Sequence, residues 1–268
     1  MRTYSDAEMK YLTSLKRSIV GKHKKCGGVG YVSGLNRCSC MKVFCYLKEL
    51  YWSRIPSDYW ALSLSELEVK KLYRKITKDY ITHLDNAIEK GLGLLFTGEK
   101  GIGKTAIMCE IGKHAIVERY EVFYELAQNI VDDRFTDEQQ TLERLKSADL
   151  IIIDELDKIM VKGTNSNITR LLDSILKGLL PNKKAILIGT NFTDDQLEDK
   201  FQIMSLLKRY VKIIPMKGDD FSDKRQDSWL ARLRDKEVNY DSKNITKMAD
   251  KFNDNQPAAD EKEYDGLF

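Results

Sequence analysis

The sequence has few prolines, no long apolar run and a net charge of only +3. Four prolines and sixteen glycines among 268 residues exclude a collagen-like or low-complexity architecture. No apolar run approaches the roughly 18–20 residues that a membrane-spanning helix needs. The polar start Met1–Lys10 is unlike a secretory signal. With 42% hydrophobic and 32% charged residues, the chain can form a core with a charged exterior. We therefore expect a soluble, cytoplasmic protein with no membrane partner.

The small net charge is unevenly distributed along the chain. Residues 1–60 contain eleven Lys and Arg against four Asp and Glu, whereas residues 236–268 contain five against eight. A basic amino-terminal region favours contact with nucleic acid or with an acidic protein. An ordinary solvated surface explains the same excess, so the charge alone leaves both interpretations open.

Four of the five cysteines lie close together near the amino terminus. His23, Cys26, Cys38 and Cys40 form an H-x2-C and a C-x-C pair, a set that can close a tetrahedral zinc site. Cys45 is the alternative fourth ligand if His23 is solvent-exposed. A set of reduced, partly buried thiols is the other interpretation, since this spacing is less diagnostic than two C-x-x-C pairs. Zinc would supply folding free energy to a short segment with little apolar surface.

Short apolar runs alternate with helical segments over most of the remaining chain. Such alternation, with fully apolar strands, indicates an α/β fold in which a parallel sheet lies between layers of helices. A long helix is predicted over Leu64–Lys90, and further helices are predicted to start at Lys104, Gln128, Asn167 and Thr193. The predicted strands are Leu92–Thr97, Glu121–Glu125, Leu150–Asp154, Ala185–Gly189 and Val211–Pro215.

The segment after the first of these strands fits the phosphate-binding pattern G-x-x-x-x-G-K-[ST]. A chance match in a chain of this length has a probability on the order of 1%. Glycines let backbone amides converge on phosphate oxygens, and the following helix adds partial positive charge. Lys104 is predicted to neutralise the β- and γ-phosphates, and the Thr105 hydroxyl to bind Mg²⁺. The predicted nucleotide contacts are Gly98, Glu99, Lys100, Gly101, Ile102, Gly103, Lys104, Thr105, Ala106 and Asp154.

Polar residues at the ends of two later strands complete the predicted site. Asp154 and Glu155 follow a buried strand, so Asp154 is predicted to hold Mg²⁺ and Glu155 to activate the attacking water. Asn191 follows the next strand and is predicted to hydrogen-bond the γ-phosphate and the water. The alternative for Asn191 is the N-cap of the following helix.

Together the loop, the acidic strand and the strand ending in Asn resemble the Walker A, Walker B and sensor-1 elements of AAA+ ATPases. More narrowly, the chain resembles the DnaC/DnaI-type helicase loaders and the related IstB-type transposition ATPases. The helix end Ile81–Gly91 and the segment Ile213–Asp220 match as well. The resemblance covers about residues 66–222. It implies an amino-terminal zinc-binding adaptor over 1–65 and an AAA+ core over 66–226. For residues 227–268 the composition predicts one short amphipathic helix around Trp229, Leu230 and Leu233, followed by a polar, acidic tail that is disordered.

The resemblance also implies activity and partners. ATP hydrolysis would drive the loading of a replicative DnaB-type helicase onto single-stranded DNA, with the adaptor contacting the helicase. Arg209 stands where the family places an arginine finger, which would reach a neighbouring subunit and require self-association; the alternative is a surface arginine. The alternative functions are an IstB-like ATPase that partners a transposase, and a zinc-stabilised adaptor that uses ATP only as a switch.

Overall fold

The amino-terminal region consists of two helices joined by a small hairpin. The structure is a computed structural model, and it describes residues 5–33, 36–135, 139–160, 175–179, 182–193, 195–197, 204–218 and 243–254. Helix α1 (Asp6–Ile19) begins with a reciprocal capping box between Ser5 and Glu8. A 3₁₀ turn (Lys24–Cys26) and the antiparallel strands β1 (Tyr31–Ser33) and β2 (Asn36–Arg37) lead into α2 (Ser39–Trp52).

A five-stranded parallel sheet forms the centre of the molecule, in the strand order β4-β5-β6-β3-β7. Three strands have the predicted bounds and two start one residue later, so the predicted fold class is confirmed. Their bounds are β3 (Gly93–Thr97), β4 (Val122–Leu126), β5 (Leu150–Asp154), β6 (Ala185–Gly189) and β7 (Val211–Pro215).

Both faces of the sheet are covered. Successive residues of β5 point to opposite faces, so that Leu150 and Ile152 join one apolar cluster whereas Ile151 and Ile153 join the other. This burial on both sides explains why residues 150–153 of the strand are all apolar. The remaining core elements are α3 (Lys71–Thr82), α4 (Leu84–Lys90), α5 (Lys104–Val117), α6 (Ala127–Phe135), α7 (Gln139–Ser147), a 3₁₀ turn (Leu156–Met160) and α8 (Met204–Tyr210).

The predicted continuous helix over Leu64–Lys90 is wrong in two places. Residues 64–70 are not helical, and Leu67 and Val69 are buried while their neighbours are exposed. That alternation is typical of an extended chain lying against a core. The helix then breaks at His83, which separates α3 from α4. The helix predicted to start at Asn167 lies outside the described residues.

A carboxy-terminal helix lies beyond the last element that the sequence analysis placed. Helix α9 (Lys243–Asp254) buries Ile245, Ala249 and Phe252 against α2 and α5. We expected this polar stretch to be disordered because many charged residues dilute its apolar positions. The apolar spacing of four and three residues nevertheless forms one helical stripe. The predicted short piece around Trp229 and the tail after residue 254 lie outside the described residues.

The amino-terminal helices and the sheet share one apolar cluster. Leu12 of α1 and Leu47 of α2 belong to the same cluster as Ile107 of α5 and Leu187 of β6. Within the described parts of the chain, no helix is both long enough and apolar enough to cross a membrane.

Candidate nucleotide site and metal centre

The loop between β3 and α5 has the backbone conformation that its glycines permit. Gly98, Gly101 and Gly103 have φ angles of 132°, 84° and 97°, which side chains with a Cβ rarely adopt. A Cβ on Gly98 would also lie 2.3 Å from the carbonyl oxygen of Met216, just after β7. Glycine is therefore required here both by the turn and by the close approach of a neighbouring backbone.

Lys104 connects this loop to the end of β6. Its Nζ donates to the carbonyl oxygens of Gly98 and Glu99 at 2.7 and 2.6 Å, and to Oδ1 of Asn191 at 2.8 Å. Burial lowers the pKa of Lys104, while the nearby carboxylates of Asp154 and Asp157 act in the opposite direction. The structure thus brings together two residues, Lys104 and Asn191, that the sequence analysis placed in the same site.

Thr105 and Asp154, the predicted magnesium ligands, are in direct contact. The Thr105 hydroxyl donates to Oδ2 of Asp154 at 2.6 Å, and the Tyr124 hydroxyl donates to the same oxygen at 3.1 Å. A hydroxyl and a carboxylate oxygen are the ligands that Mg²⁺ prefers, so this pair fits the ion. Tyr124 was missed because nothing in its own strand marks it; only the pairing of β4 with β5 does.

Gly189 leaves room for the Asp154 carboxylate. A Cβ at this position would lie 2.3 Å from Oδ1 of Asp154. Strands β5 and β6 are in parallel register, with Ile153 opposite Ile188, which brings the next residues of the two strands together. The sequence analysis did not assign this glycine a role.

Glu155 stands just beyond the strand in a left-handed conformation with a φ of 55°. Its backbone N–H donates to Oδ1 of Asp154 at 2.8 Å, and its exposed side chain lines the cavity. The two carboxylates therefore occupy different environments: that of Asp154 is buried and contacts Thr105, and that of Glu155 is exposed in the lining of the cavity.

Asn191 does not cap the following helix. Thr193 does, because Thr193 and Gln196 make the reciprocal backbone contacts of a capping box. The described residues 195–197 after this cap are helical. The Asn191 side chain instead contacts Lys104 and Asp157. The contact with Asp157 was not predicted from the sequence.

A cavity of about 460 Å³ opens beside the loop. One wall is formed by the loop and the ends of β5 and β6, including Ala106, Asp154 and Asn191. Three other predicted nucleotide contacts have different surroundings. The carbonyl oxygens of Gly98 and Glu99 accept hydrogen bonds from Lys104, and Ile102 is buried in the core. The opposite wall comes from the chain before α3. It consists of Tyr59, Leu62, Glu66, Leu67, Glu68 and Val69.

Two buried charges of α5 hold that opposite wall in place. Nζ of Lys113 donates to the carbonyl oxygens of Tyr59, at 3.0 Å, and Leu62, and Oε1 of Glu110 accepts from the Leu64 amide at 3.1 Å. Glu110 and Lys113 also pair with each other at 2.8 Å. The helix that begins at the glycine loop thus fixes both sides of the cavity.

Arg209 lies away from this cavity. It is exposed at the end of α8, next to β7, and is not among the described residues that line the cavity. The place of Arg209 is thus compatible with the predicted finger between subunits, which stays a prediction.

The predicted zinc ligands form one cluster. The donor atoms of His23, Cys26, Cys38 and Cys40 all lie within 4.8 Å of one another. Sγ of Cys26 is 3.6 Å from Nδ1 of His23 and 3.5 Å from Sγ of Cys40, and Sγ of Cys38 is 3.4 Å from Nδ1 of His23. Ligand atoms around a tetrahedral zinc ion are about 3.5–3.8 Å apart, so the cluster fits zinc.

Cys45, the alternative ligand, is buried in α2 outside this cluster. Burial raises the pKa of its thiol, which disfavours the thiolate that binds metal. Burial also raises the pKa of Cys26, but hydrogen bonds from the Gly30 amide and the His23 ring outweigh it and lower that pKa to about 6. Burial raises the pKa of the Cys40 thiol as well, so the thiol pKa values do not separate the candidates, and it is the geometry of the cluster that favours His23 over Cys45.

Comparison with known proteins gives a family and a fold. Residues 94–214 match the family described as "ATPase family associated with various cellular activities (AAA)". The chain is similar to a structure described as the DnaC helicase loader, with a TM-score of 0.53 and 16% identity over 60% of this chain and 100% of that chain. A structure described as DnaI gives a TM-score of 0.52 and 17% identity, covering 62% and 93%. A search of curated proteins found no match. At these identities the likeness shows a shared fold.

Proposed function

Residues 94–214 form an AAA-family ATPase domain, and from that premise we propose that the chain is an ATP-dependent loader of a replicative DnaB-type helicase onto single-stranded DNA. The observation that carries the ATPase part is the convergence of Lys104, Thr105, Asp154 and Asn191 on one cavity. The loader part is supported by the fold shared with the DnaC helicase loader.

Each polar residue of the cavity has a distinct role in the proposed ATP hydrolysis. Loop amides and Lys104 bind the phosphate oxygens, and Thr105 and Asp154 would hold magnesium, which would neutralise charge on those oxygens. Glu155 accepts the proton of the attacking water, because its side chain is exposed at the open edge of the site. Asn191 orients that water and the γ-phosphate. Arg209 of a neighbouring chain stabilises the charge that develops in the transition state.

The amino-terminal module is proposed to hold one zinc ion and to contact the helicase. The segment between the ligands Cys26 and Cys38 includes the β1–β2 hairpin and exposes two apolar side chains, Val29 at 68% and Val32 at 46%. Exposed apolar residues on a segment that metal ligands hold at both ends are suited to docking on a protein surface. Neither residue belongs to the ligand set, so both can be changed without disturbing the metal.

The test is to mix the full chain with a purified DnaB-type helicase and to measure complex formation by light scattering, with and without ATP. We expect a complex, and we expect Val29→Glu with Val32→Glu to weaken it at least about tenfold. Leu72→Glu is the matched control, since Leu72 is an exposed apolar residue on α3, at 60% exposure. Deleting residues 1–65 is unsuitable, because α2 shares the core with α5.

Two further measurements, of transposase recruitment and of ATP turnover, would identify a different function. Failure to bind the helicase under any nucleotide condition, with recruitment of a transposase on duplex DNA instead, would replace the loader by the IstB-like function. ATP binding without turnover, even with single-stranded DNA present, would identify the chain as an adaptor that uses ATP only as a switch.

A further inference from the structure

Asp157 is a buried acidic residue next to the nucleotide site. It lies on the 3₁₀ turn after β5 and is 7% exposed. Its two carboxylate oxygens accept two hydrogen bonds from one residue: Oδ1 from the Asn191 backbone N–H at 2.8 Å, and Oδ2 from Nδ2 of Asn191 at 2.9 Å. A buried carboxylate is costly unless its lone pairs are satisfied, and here Asn191 supplies both contacts.

These contacts fix the orientation of the Asn191 amide. The carboxylate of Asp157 accepts from the NH₂ group on one side, and the Lys104 ammonium donates to Oδ1 at 2.8 Å on the other. Rotating the amide by half a turn would place two acceptors together and two donors together. Asn191 is thus held between a negative and a positive group, each of which requires the same orientation.

We propose that Asp157 is the positioning residue that keeps Asn191 aligned for its task, an inference that rests on the proposed ATPase function. The NH₂ group of Asn191 has two hydrogens, and Asp157 engages one of them. The second is left to donate to an oxygen of the γ-phosphate or of the attacking water. Asp157 also opposes the effect of burial on the pKa of Lys104, but its two hydrogen bonds are both to Asn191, so Asn191 is the residue that it orients.

A double-mutant cycle on the full-length protein tests this inference. Asp157→Asn keeps the shape of the side chain but turns an NH₂ group toward a donor of Asn191. We expect the kcat for ATP hydrolysis to fall about tenfold or more, with the Kd for ATP changed less than about threefold. In an Asn191→Ala background the same substitution should change kcat less than about twofold, because the residue through which it acts is gone.

Equal losses of kcat in both backgrounds would overturn the proposal, since Asp157 would then act on the nucleotide directly. An unchanged kcat in the single variant would overturn it as well. Thermal melting checks folding, and if Asp157→Asn does not fold, Asp157→Ser keeps one acceptor oxygen in a smaller side chain and carries the same test.

A second readout separates this proposal from the proposed function. If the wild-type protein binds ATP but does not hydrolyse it, the ATPase function fails. The ratio of the Kd values for ADP and ATP still tests the positioning role. We expect Asp157→Asn to reduce the preference for ATP over ADP, measured by this ratio, as much as Asn191→Ala does. A reduction with Asn191→Ala but none with Asp157→Asn would contradict the inference.

Discussion

Asp154 is the residue on which most of the nucleotide site converges. Two hydroxyls, from Thr105 and Tyr124, donate to one of its oxygens, and the Glu155 amide donates to the other. Burial raises the pKa of Tyr124, so its hydroxyl remains a donor. The carboxylate is therefore oriented by groups from α5, from β4 and from the residue that follows β5, and any change that moves it should affect magnesium binding.

Gly189→Ala should displace this carboxylate. The added Cβ would meet Oδ1 of Asp154 at 2.3 Å and Cε of Met108 at 2.6 Å, so we expect magnesium-dependent ATP turnover to fall at least about tenfold and stability to fall by about 1–3 kcal/mol. Gly178→Ala is the matched control. It lies in a helical segment with nothing within 4 Å of the added Cβ and should stabilise the chain by about 0.5–1 kcal/mol. Equal turnover in the two variants would contradict this role of Gly189.

Arg209→Ala should keep ATP affinity but lose at least about 90% of turnover, because the guanidinium would act only in the transition state. Lys212→Ala, an exposed cation on the adjacent strand β7, is the control and should behave as the wild type does.

Mixing two inactive variants tests whether Arg209 acts between subunits. Chains with Arg209→Ala retain Glu155, and chains with Glu155→Gln retain Arg209, so each mixed interface can restore one complete site. We expect turnover to reappear on mixing. Its absence, at concentrations where the wild-type protein self-associates, would remove the proposed finger.

The glycine loop was predictable residue by residue, because phosphate binding demands those residue types at that spacing. Asp154, Glu155 and Asn191 were predictable from the ends of apolar strands. Tyr124, Gly189 and Asp157 were not, since each acts through a residue on a neighbouring element. The register of β5 with β6 would have pointed to Gly189, but strand order is invisible to local patterns.

Among the elements, α5 does more than present the phosphate loop. Its buried Glu110 and Lys113 bind the chain that forms the far wall of the cavity. Residues 64–70 are not helical although their apolar spacing predicted a helix. Within this segment the Leu64 amide donates to Glu110, and the Leu67 carbonyl accepts from the Arg74 guanidinium, so side chains of α5 and α3 hold it in place.

Stability at low pH should depend on Glu110. Burial raises the pKa of this carboxyl, but hydrogen bonds and charges from His114 and Lys113 outweigh it and lower the pKa to about 2. A depressed pKa stabilises the fold above the unfolded value near 4.5, and this contribution is lost as the pH falls toward 2. We expect a loss of about 3 kcal/mol from this group over that window.

Urea unfolding at a series of pH values measures this contribution. Glu110→Gln should show a smaller fall in unfolding free energy between pH 5 and pH 2 than the wild type does, by about that amount. Glu89→Gln, an exposed glutamate on α4, is the control and should follow the wild-type curve. Loss of metal at low pH is common to all three proteins, so it cancels in the difference. Parallel curves for Glu110→Gln and the wild type would contradict the assignment.

At the scale of the whole molecule, α9 joins parts of the chain that are distant in sequence. Nδ2 of Asn253 donates to the Lys42 carbonyl of α2 at 3.2 Å, and Arg37 of β2 donates to Oδ1 of Asn253 at 3.2 Å. Helix α9 therefore contacts both the β1–β2 hairpin and α2. Asn244, at its other end, donates to Ala61 and Glu66 beside the cavity wall at 3.2 and 3.0 Å. One helix therefore contacts both the metal module and the wall of the nucleotide cavity.

The shared core limits what the sequence reveals about domains. The change from a Cys-rich segment to strand–helix alternation predicted a separate module over 1–65, and that boundary stays a prediction. It would cut through the wall of the cavity, which begins at Tyr59. The packing of α9 on α2 joins residues about 200 positions apart, and no local pattern encodes such a contact.

Metal content tests the amino-terminal module. The purified protein should contain one zinc ion per chain by mass spectrometry, and Cys40→Ser should lose it because one of four ligands is gone. Cys45→Ser is the control: it lies outside the cluster and should keep the zinc. Removing the metal with a chelator should lower the melting temperature, since zinc binding contributes folding free energy. Zinc lost from Cys45→Ser and kept by Cys40→Ser would reverse the ligand assignment.

Calorimetric titration of magnesium and ATP into the full-length protein tests the central claim, that the loop before α5 binds a nucleoside triphosphate. We expect saturable binding of one nucleotide per chain, weakened at least about tenfold by Lys104→Ala and unchanged by Lys90→Ala, an exposed lysine at the end of α4. Absence of binding by the folded wild-type protein, or equal affinity in the folded Lys104→Ala variant, would contradict the account.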